Sequence, residues 1–589
     1  MRASAVQTHG LTCRLLTDFA ELRLLASEWE RLWEANPNRE IFSKFSWIES
    51  WWEGYGGNAL LLTPVVYHDG RCVGILPLYI AERQLRFIGD PAADYNDLVC
   101  DPNRKADVLT AAIDALDESR IPWESCTLQN VPESSLLLGA SKDMASSLQE
   151  RIVSSVSAVC PTVLLDDNRA ETLKSILGKS TVSRRIKQLE KLGSLKFRHL
   201  DDRVQAREHL PSFYEQHIRC RTLAGIRSQL LDQQSKVFFE ALVDNLDPSN
   251  ELRFAVLESN DRPIAYNFGF QLDGKFLYYT PTFDIEFFDV SPGDVLLRYL
   301  FVYARDSDIR EFDFTVGDET YKSRYANHTD HNYAVLLYPR STSGRISQFA
   351  HAAKEHLRLY PSAYRATRTA ASAASESASR IVRVLRREGA VRGAARVAVA
   401  FLRSAIYARD EVLVLELKKK YLTPASQPLT FRVATLSDLA DAAVRHPEYL
   451  GGNSLHDLRE RIKKGHTPFV ALDDGNIVHI AWLRVEERIV TSELGEDFAL
   501  ELGRPVGIIY DAWTPQLARG RGIYPAVVSL IAEYIELMGL EQWIYVLSGN
   551  VASRRGLEKA GMEVQYRMIR YTWFHALHRR VILKPTQNE

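Results

Sequence analysis

Cysteine is scarce in this chain. Its six residues among 589, Cys13, Cys72, Cys100, Cys126, Cys160 and Cys220, never fall in Cys-x-x-Cys spacing. Such scattered thiols argue against a disulfide framework and against a cysteine-ligated metal, so reduced, mostly buried thiols and no metal site are expected. No apolar run long enough for a membrane span stands out, and the opening MRASAVQTHGLTCRLL has no signal-peptide core. Charge of either sign is hardly in excess. The formal net charge of −2 supplies no global field that would draw nucleic acid. What remains is a soluble composition, 46% apolar and 25% charged, expected in the cytoplasm and long enough for three or four domain-sized cores.

Three regions emerge along the chain. Roughly 12–345 alternates helical and strand-like patterns. FAELRLLASEWERLWEAN reads as helix, and ALLLTPVVYHDGRCVGILPLYI as two strands about an Asp69-Gly70 turn. FAVLESNDRPIAYNFGFQLDGKFLYYTPTF repeats that style, with turns at Asn260-Asp261 and Asp273-Gly274. Between 346 and 405 the composition shifts to alanine, serine and arginine, and 351–410 holds twelve Lys/Arg against four Asp/Glu. Its spacing predicts a helical connector, either a solvated spacer or a dock onto an acidic membrane surface or partner. The last region, 406–589, opens on the strand-like EVLVLEL.

That region holds the most informative stretch. The strand Val506–Trp513 runs into Arg519-Gly520-Arg521-Gly522, and an amphipathic helix follows, striped by Ile523, Val527, Leu530, Ile531, Tyr534 and Ile535. A second strand, Trp543–Leu547, delivers Asn550. A helix opening after two close glycines presents unpaired N–H groups at its positive end, which suits a pyrophosphate. Pro525 is tolerated in the first turn. The same strand, turn, helix, strand order recurs at Lys275–Thr280, Ser291-Pro292-Gly293-Asp294, the helix of Leu296, Leu300 and Tyr303, and Phe312–Thr315. Crossovers of this kind build α/β sheets with ligands at the strand ends.

The glycine turn, with Asn550-x-x-Ser553 and Glu558-Lys559-Ala560-Gly561-Met562, resembles the acyl-coenzyme A site of the GNAT N-acetyltransferases. Leu517 stands where that family's pattern has Gln or Arg, and Leu557 where many members have a tyrosine acid; Tyr566 or a water is a substitute. The resemblance implies acetyl-CoA, or another acyl-CoA, held by Arg519, Gly520, Arg521, Gly522, Ile523 and Tyr524, with Asn550 and Ser553 beside the pantetheine arm. By the internal echo, Ser291 and Gly293 are further cofactor candidates. Acyl transfer also needs a base. Asp511 at the strand end is the leading candidate, with Tyr510 and Glu493 behind it.

EFDFTVGDETYKSRYA and SPGDVLL, with FSKFSWIESWWEGYG and LRFIGDPAADYNDLV upstream, resemble the CelD/BcsL-like acetyltransferases, distant relatives of the FemABX transferases. That resemblance implies two GNAT-like halves, 12–160 and 161–345, so the α/β (α+β) chain comprises mixed sheets flanked by helices: three GNAT-like folds joined by the connector. Asp313, Asp318 and Glu319 supply carboxylates at a strand end, with Lys322 close behind; Asp318 and Lys322 are catalytic candidates, or members of an ion-pair knot. The basic STVSRRIKQLEKLG helix reads as a solvated face, and His328-Thr329-Asp330-His331 as a turn in solvent.

The expected activity is acyl-CoA-dependent N-acyl transfer to an amine, an amino sugar or sugar-nucleotide precursor in exopolysaccharide or cellulose biosynthesis. Polysaccharide-synthesis machinery is a candidate partner; nucleic acid is not. Two alternatives stay open: a non-catalytic acyl-CoA-binding scaffold, and a FemABX-like aminoacyl transferase.

Overall fold

Residues 6–8, 10–165, 168–340, 407–418, 428–450, 454–491, 493–495, 497–573 and 577–584 are described by a computed structural model. The connector expected over 346–405 lies outside them, as does nearly all of the membrane-docking stretch 351–410. The chain divides into two compact units, one of residues 1–221 and 227–359, the other of 222–226 and 360–589. No helix among the described residues is long and apolar enough to cross a membrane. The six cysteines are free, five of them buried.

Hairpins in both units form where the sequence supplies residues that tolerate positive φ. Asp69-Gly70, Asn260-Asp261 and Asp273-Gly274 all sit in the left-handed region, and Asp474-Gly475 adds a fourth such turn. Two-residue turns of that hand match the twist of the strands they join.

Among the described residues, three strand pairs run parallel, each spanned by a helix. Gln84–Phe87 and Ser125–Pro132 flank helix Lys105–Glu118. Lys275–Phe283 and Glu311–Asp313 flank helix Pro292–Asp306. Ala499–Trp513 and Gln542–Leu547 flank helix Ile523–Leu537. All other pairings are antiparallel, so the fold is mixed α/β with a crossover in each of three lobes.

The N-terminal unit holds a small sheet and a long one that runs through both of its halves. Strand Ile152–Leu164 pairs with Glu311–Asp313 on one side and with His328–Leu337 on the other, and the latter pairs on with Ser125–Pro132. The boundary expected at 160/161 therefore falls inside a strand. The halves share one sheet because this strand's hydrogen bonds are made within the second half while its partner reaches the first.

In the C-terminal unit one eight-stranded sheet carries helix Ile523–Leu537. The helix buries Ile523, Val527, Val528, Ile531 and Ile535, whereas Tyr534, expected on that stripe, is exposed, and Leu530 is only half-buried. Each fully buried aliphatic side chain contributes about 1.5–3 kcal/mol. Close approach of helix to sheet depends on Gly507, where an added Cβ would stand 2.4 Å from Ile535 Cγ2. Gly507→Ala should therefore destabilise the protein by about 1–3 kcal/mol through overpacking, measured by urea unfolding of the full chain.

Candidate active site

The parallel strands of the C-terminal crossover stay paired for only three steps, ending at Ile509 with Ile544. Past that point they diverge. On the outer side the strand pairs Trp482 with Tyr510 and Ile480 with Trp513, so Asp511 and Ala512 stand opposite one residue in a β-bulge. Asp511 takes a φ of +48°, as a bulged position does. The bulge bends the strand away and opens a cleft holding two adjoining cavities of about 470 and 510 Å3. Ala512, Tyr524, Asn550 and Ser553 line both.

The first cavity lies at the glycine turn. Gly522 caps the helix at φ +73° and Gly520 precedes it at +80°. A Cβ on either would meet nothing within 4 Å, so the glycines are there for backbone conformation and the space above them is open. Arg519, Gly520, Gly522, Ile523 and Tyr524 line this cavity. Arg521 does not; its guanidinium turns to Asp473, 2.9 Å away. Its place is taken by Arg555 and Lys559 from helix Val551–Lys559. Lys559 belongs to the second block of the resemblance, though not as a named cofactor residue; Arg555 carried no signal in the sequence. Positive side chains and a helix N-terminus together suit a polyanion. Asn550 is the N-cap of the second helix, its Oδ1 accepting from Ser553 N at 3.1 Å.

At the junction, Tyr524 is hydrogen-bonded with Ser553, and burial pushes its phenol up to about 12. Leu557, in the position of the family's tyrosine acid, is wholly buried in the core. Tyr566 stacks on Trp543 in a separate apolar cluster and lines neither cavity. Tyr524 is therefore the phenol available at the junction.

The second cavity gathers Tyr510, Asp511 and Glu493, the three residues proposed as base from the sequence, together with His466, Arg461, Arg484 and Tyr545. Asp511 is held by Arg461, Nη1 to Oδ2 at 2.5 Å. Tyr510 Oη lies 2.6 Å from His466 Nδ1. Burial raises the phenol to about 12, so it keeps its proton, and it donates that proton to Nδ1 in the tautomer protonated at Nε2. Burial, and then the nearby Arg484, Arg461 and Lys464, lower His466 below its usual value. A neutral imidazole with a hydrogen-bonded phenol is a better proton acceptor for this cavity than an aspartate bound to arginine. Nothing in Gly465-His466-Thr467 signalled it: a lone histidine at a turn carries no motif.

In the N-terminal unit the second crossover diverges in the same way. Pairing stops at Leu277 with Asp313, and a cavity of about 340 Å3 follows, lined by Tyr278, Tyr279, Thr315, Asp94, Glu319 and Lys322 among others. Lys322 is buried, donates to Val316 O at 2.8 Å and pairs with Glu319 at 2.9 Å. Asp94, missed from the sequence, faces it; burial raises its carboxyl to about 7, against the Thr315 hydroxyl and Lys322, which lower it. Asp318 is exposed and lies outside this cavity. Asp313 faces a different cavity, where Tyr95 donates to both its oxygens and Lys275 lies 3.5 Å away.

Ser291 and Gly293 do not line the 340 Å3 cavity either. The helix they open has Pro292 at its first position, and Asp294, in its first turn, is ion-paired with Arg185. A carboxylate already occupies the positive end, so these two residues make no anion cradle. The histidines of His328-Thr329-Asp330-His331 lie on a strand, not a turn, because they pair with Val159–Thr162. No group of three or more metal-ligating side chains occurs among the described residues.

Residues 178–323 match the family model of the acetyltransferase (GNAT) domain. That segment is similar to a GNAT domain. The matched segment lies within the second half of the N-terminal unit and supplies most of the lining of the Lys322 cavity, Asp94 coming from the first half. No curated protein matches the chain. Among solved structures, FemX is similar over 53% of this chain and 95% of its own, at 13% identity and a TM-score of 0.38. A tandem GNAT protein from the clavulanic acid biosynthesis pathway is similar over 55% and 98%, at 12% identity and 0.33. L-PGS from Bacillus licheniformis is similar over 51% and 94%, at 12% and 0.32. No substrate passes to this chain from likenesses of that order.

Because the space above Gly522 is open, Gly522→Ala should cost only the strain of its φ, about 1–2 kcal/mol. Urea unfolding of the full chain measures this; a clearly larger loss would mean the GNAT-like turn is packed rather than open.

Proposed function

We propose that the C-terminal unit is an acyl-CoA-dependent N-acyltransferase. One observation carries the reading: a cavity with a cationic helix N-terminus at one end joins, at Tyr524, Asn550 and Ser553, a second cavity that holds a proton acceptor. The residues present fit the donor. Arg519, Arg555, Lys559 and the amides at Gly522 and Ile523 would hold the diphosphate, and the cleft between the diverging strands would take the pantetheine arm.

In this reading the acceptor amine stands beside Tyr510. Its nitrogen attacks the thioester carbonyl carbon, forming the amide C–N bond as the C–S bond breaks. The amine's proton passes to Tyr510, whose own proton moves to His466 Nδ1. The leaving thiolate takes its proton from Tyr524 or solvent, a modest demand for a thiol of pKa near 8.5. The amino-sugar acceptor and an exopolysaccharide setting come to this proposal from the sequence resemblance alone.

Calorimetric titration of coenzyme A into the full-length protein tests donor binding. Arg555→Ala and Lys559→Ala should each weaken it by about 3- to 10-fold, as expected for exposed charge contacts. Absence of binding by the folded wild type would refute the reading, and binding without acyl transfer to any amine would favour the scaffold alternative.

A second reading is favoured by the Asp94–Lys322 cavity, most of whose lining comes from the matched segment: acyl or aminoacyl transfer in the N-terminal unit. The pH profile of kcat/KM separates the two. A base must be deprotonated, so activity rises with pH through its pKa. With His466 as base the midpoint lies below 6.5 and His466→Gln lowers kcat by about 10²- to 10⁴-fold. With Asp94 the midpoint lies near 7 and Asp94→Asn carries the loss instead.

A further inference from the structure

We infer that the acceptor of the C-terminal site carries an anionic oxygen group, a carboxylate or a phosphate, received by Arg484. This rests on the proposed function and adds to it the class of the acceptor. Two arginines line the cavity of about 510 Å3, and their circumstances differ. Arg461 is satisfied: it binds Asp511 at 2.5 Å and lies over the rings of Trp482 and Tyr510. Arg484 lies over the Tyr510 ring as well, but makes no hydrogen bond to a carboxylate. Its side chain is only 12% exposed, and its Nε is buried without a hydrogen bond. Nη2 donates to Val490 O at 2.6 Å, a neutral acceptor. The carboxylate nearest it, Glu486, stands 3.8 Å from Nε, too far for a hydrogen bond.

A guanidinium removed from water is stable when a carboxylate or phosphate meets its fork, and costly otherwise. Arg484 lines the acceptor cavity and its Cζ lies 5.1 Å from the centre of the Tyr510 ring. The anion it receives is thus close to where the amine must give up its proton. Amine and anion fit on one small molecule, with the amine at Tyr510–His466 and the anion at Arg484. Neutral amines lack the second anchor and leave the cation as it is.

The test compares acceptors that differ only in the anion, using the full-length protein with acetyl-CoA: glycine against glycinamide, and glucosamine 6-phosphate against glucosamine. Release of free thiol gives kcat/KM. In at least one pair the anionic member should be preferred by about 10- to 100-fold, the worth of a charge-assisted hydrogen bond, and the favoured pair tells carboxylate from phosphate. Arg484→Gln should abolish the preference mainly through KM, and Arg484→Lys should restore part of it. Coenzyme A binding by calorimetry shows that each variant is folded. Equal use of both members, a preference that survives Arg484→Gln, or no turnover of any of the four by a protein that binds coenzyme A would overturn the inference. If Arg484→Gln does not fold, the wild-type preference and Arg484→Lys decide. Failure of coenzyme A to bind would instead refute the donor site itself.

Discussion

Where the parallel pairing of Ala499–Trp513 with Gln542–Leu547 stops is the constraint on which the candidate site depends. Three paired steps hold the strands together. The bulge at Asp511 and Ala512 then turns one of them outward. A flat continuation would have closed the gap with backbone hydrogen bonds and left no cleft. The helix that links the strands starts at the mouth of the gap, because a crossover connection must return over the sheet it leaves. One local irregularity thus sets the cleft, the helix end and the facing of Tyr510 together.

The second crossover of the N-terminal unit shows that this geometry does not by itself make an anion site. Its strands diverge in the same way, but the helix there begins with Pro292, and Asp294 and Arg185 neutralise each other at its positive end. At the C-terminal crossover, Arg519, Arg555 and Lys559 stand around open glycine backbone instead. The shared backbone path carries two different electrostatic endings. The GNAT match covers the first of these, and the cationic cradle belongs to the second.

Within the acceptor cavity, charge is distributed unevenly. Asp511 is occupied by Arg461, and both guanidiniums lie near the Tyr510 ring. Their positive charge and the loss of water act on His466 in the same direction, lowering its pKa so that it stays neutral and free to accept a proton, as a weaker base than an ordinary imidazole. The proton acceptor of the site is therefore a consequence of what surrounds the imidazole. In the N-terminal unit burial does the corresponding work on Asp94, raising a carboxyl into a useful range.

Much of this was legible in the residues alone. Positive-φ pairs such as Asp69-Gly70 and Asp273-Gly274 announced the hairpins, and the strand, glycine turn, helix, strand order announced two of the crossovers, because turn chemistry and side-chain periodicity are local. The glycine turn itself was readable for the same reason. Which carboxylates meet in one cavity was not: Asp313, Asp318 and Glu319 are neighbours in sequence, yet they go to one cavity, to solvent and to another. His466, Arg484, Arg555 and Asp94 reach their sites through strand registers and helix packing set by distant partners. The direction of Arg521 toward Asp473 and the bulge at Asp511 have the same origin. Residue spacing determined the elements and their turns; tertiary pairing alone decided which side chains share a cavity, since contact across strands depends on register and not on separation along the chain.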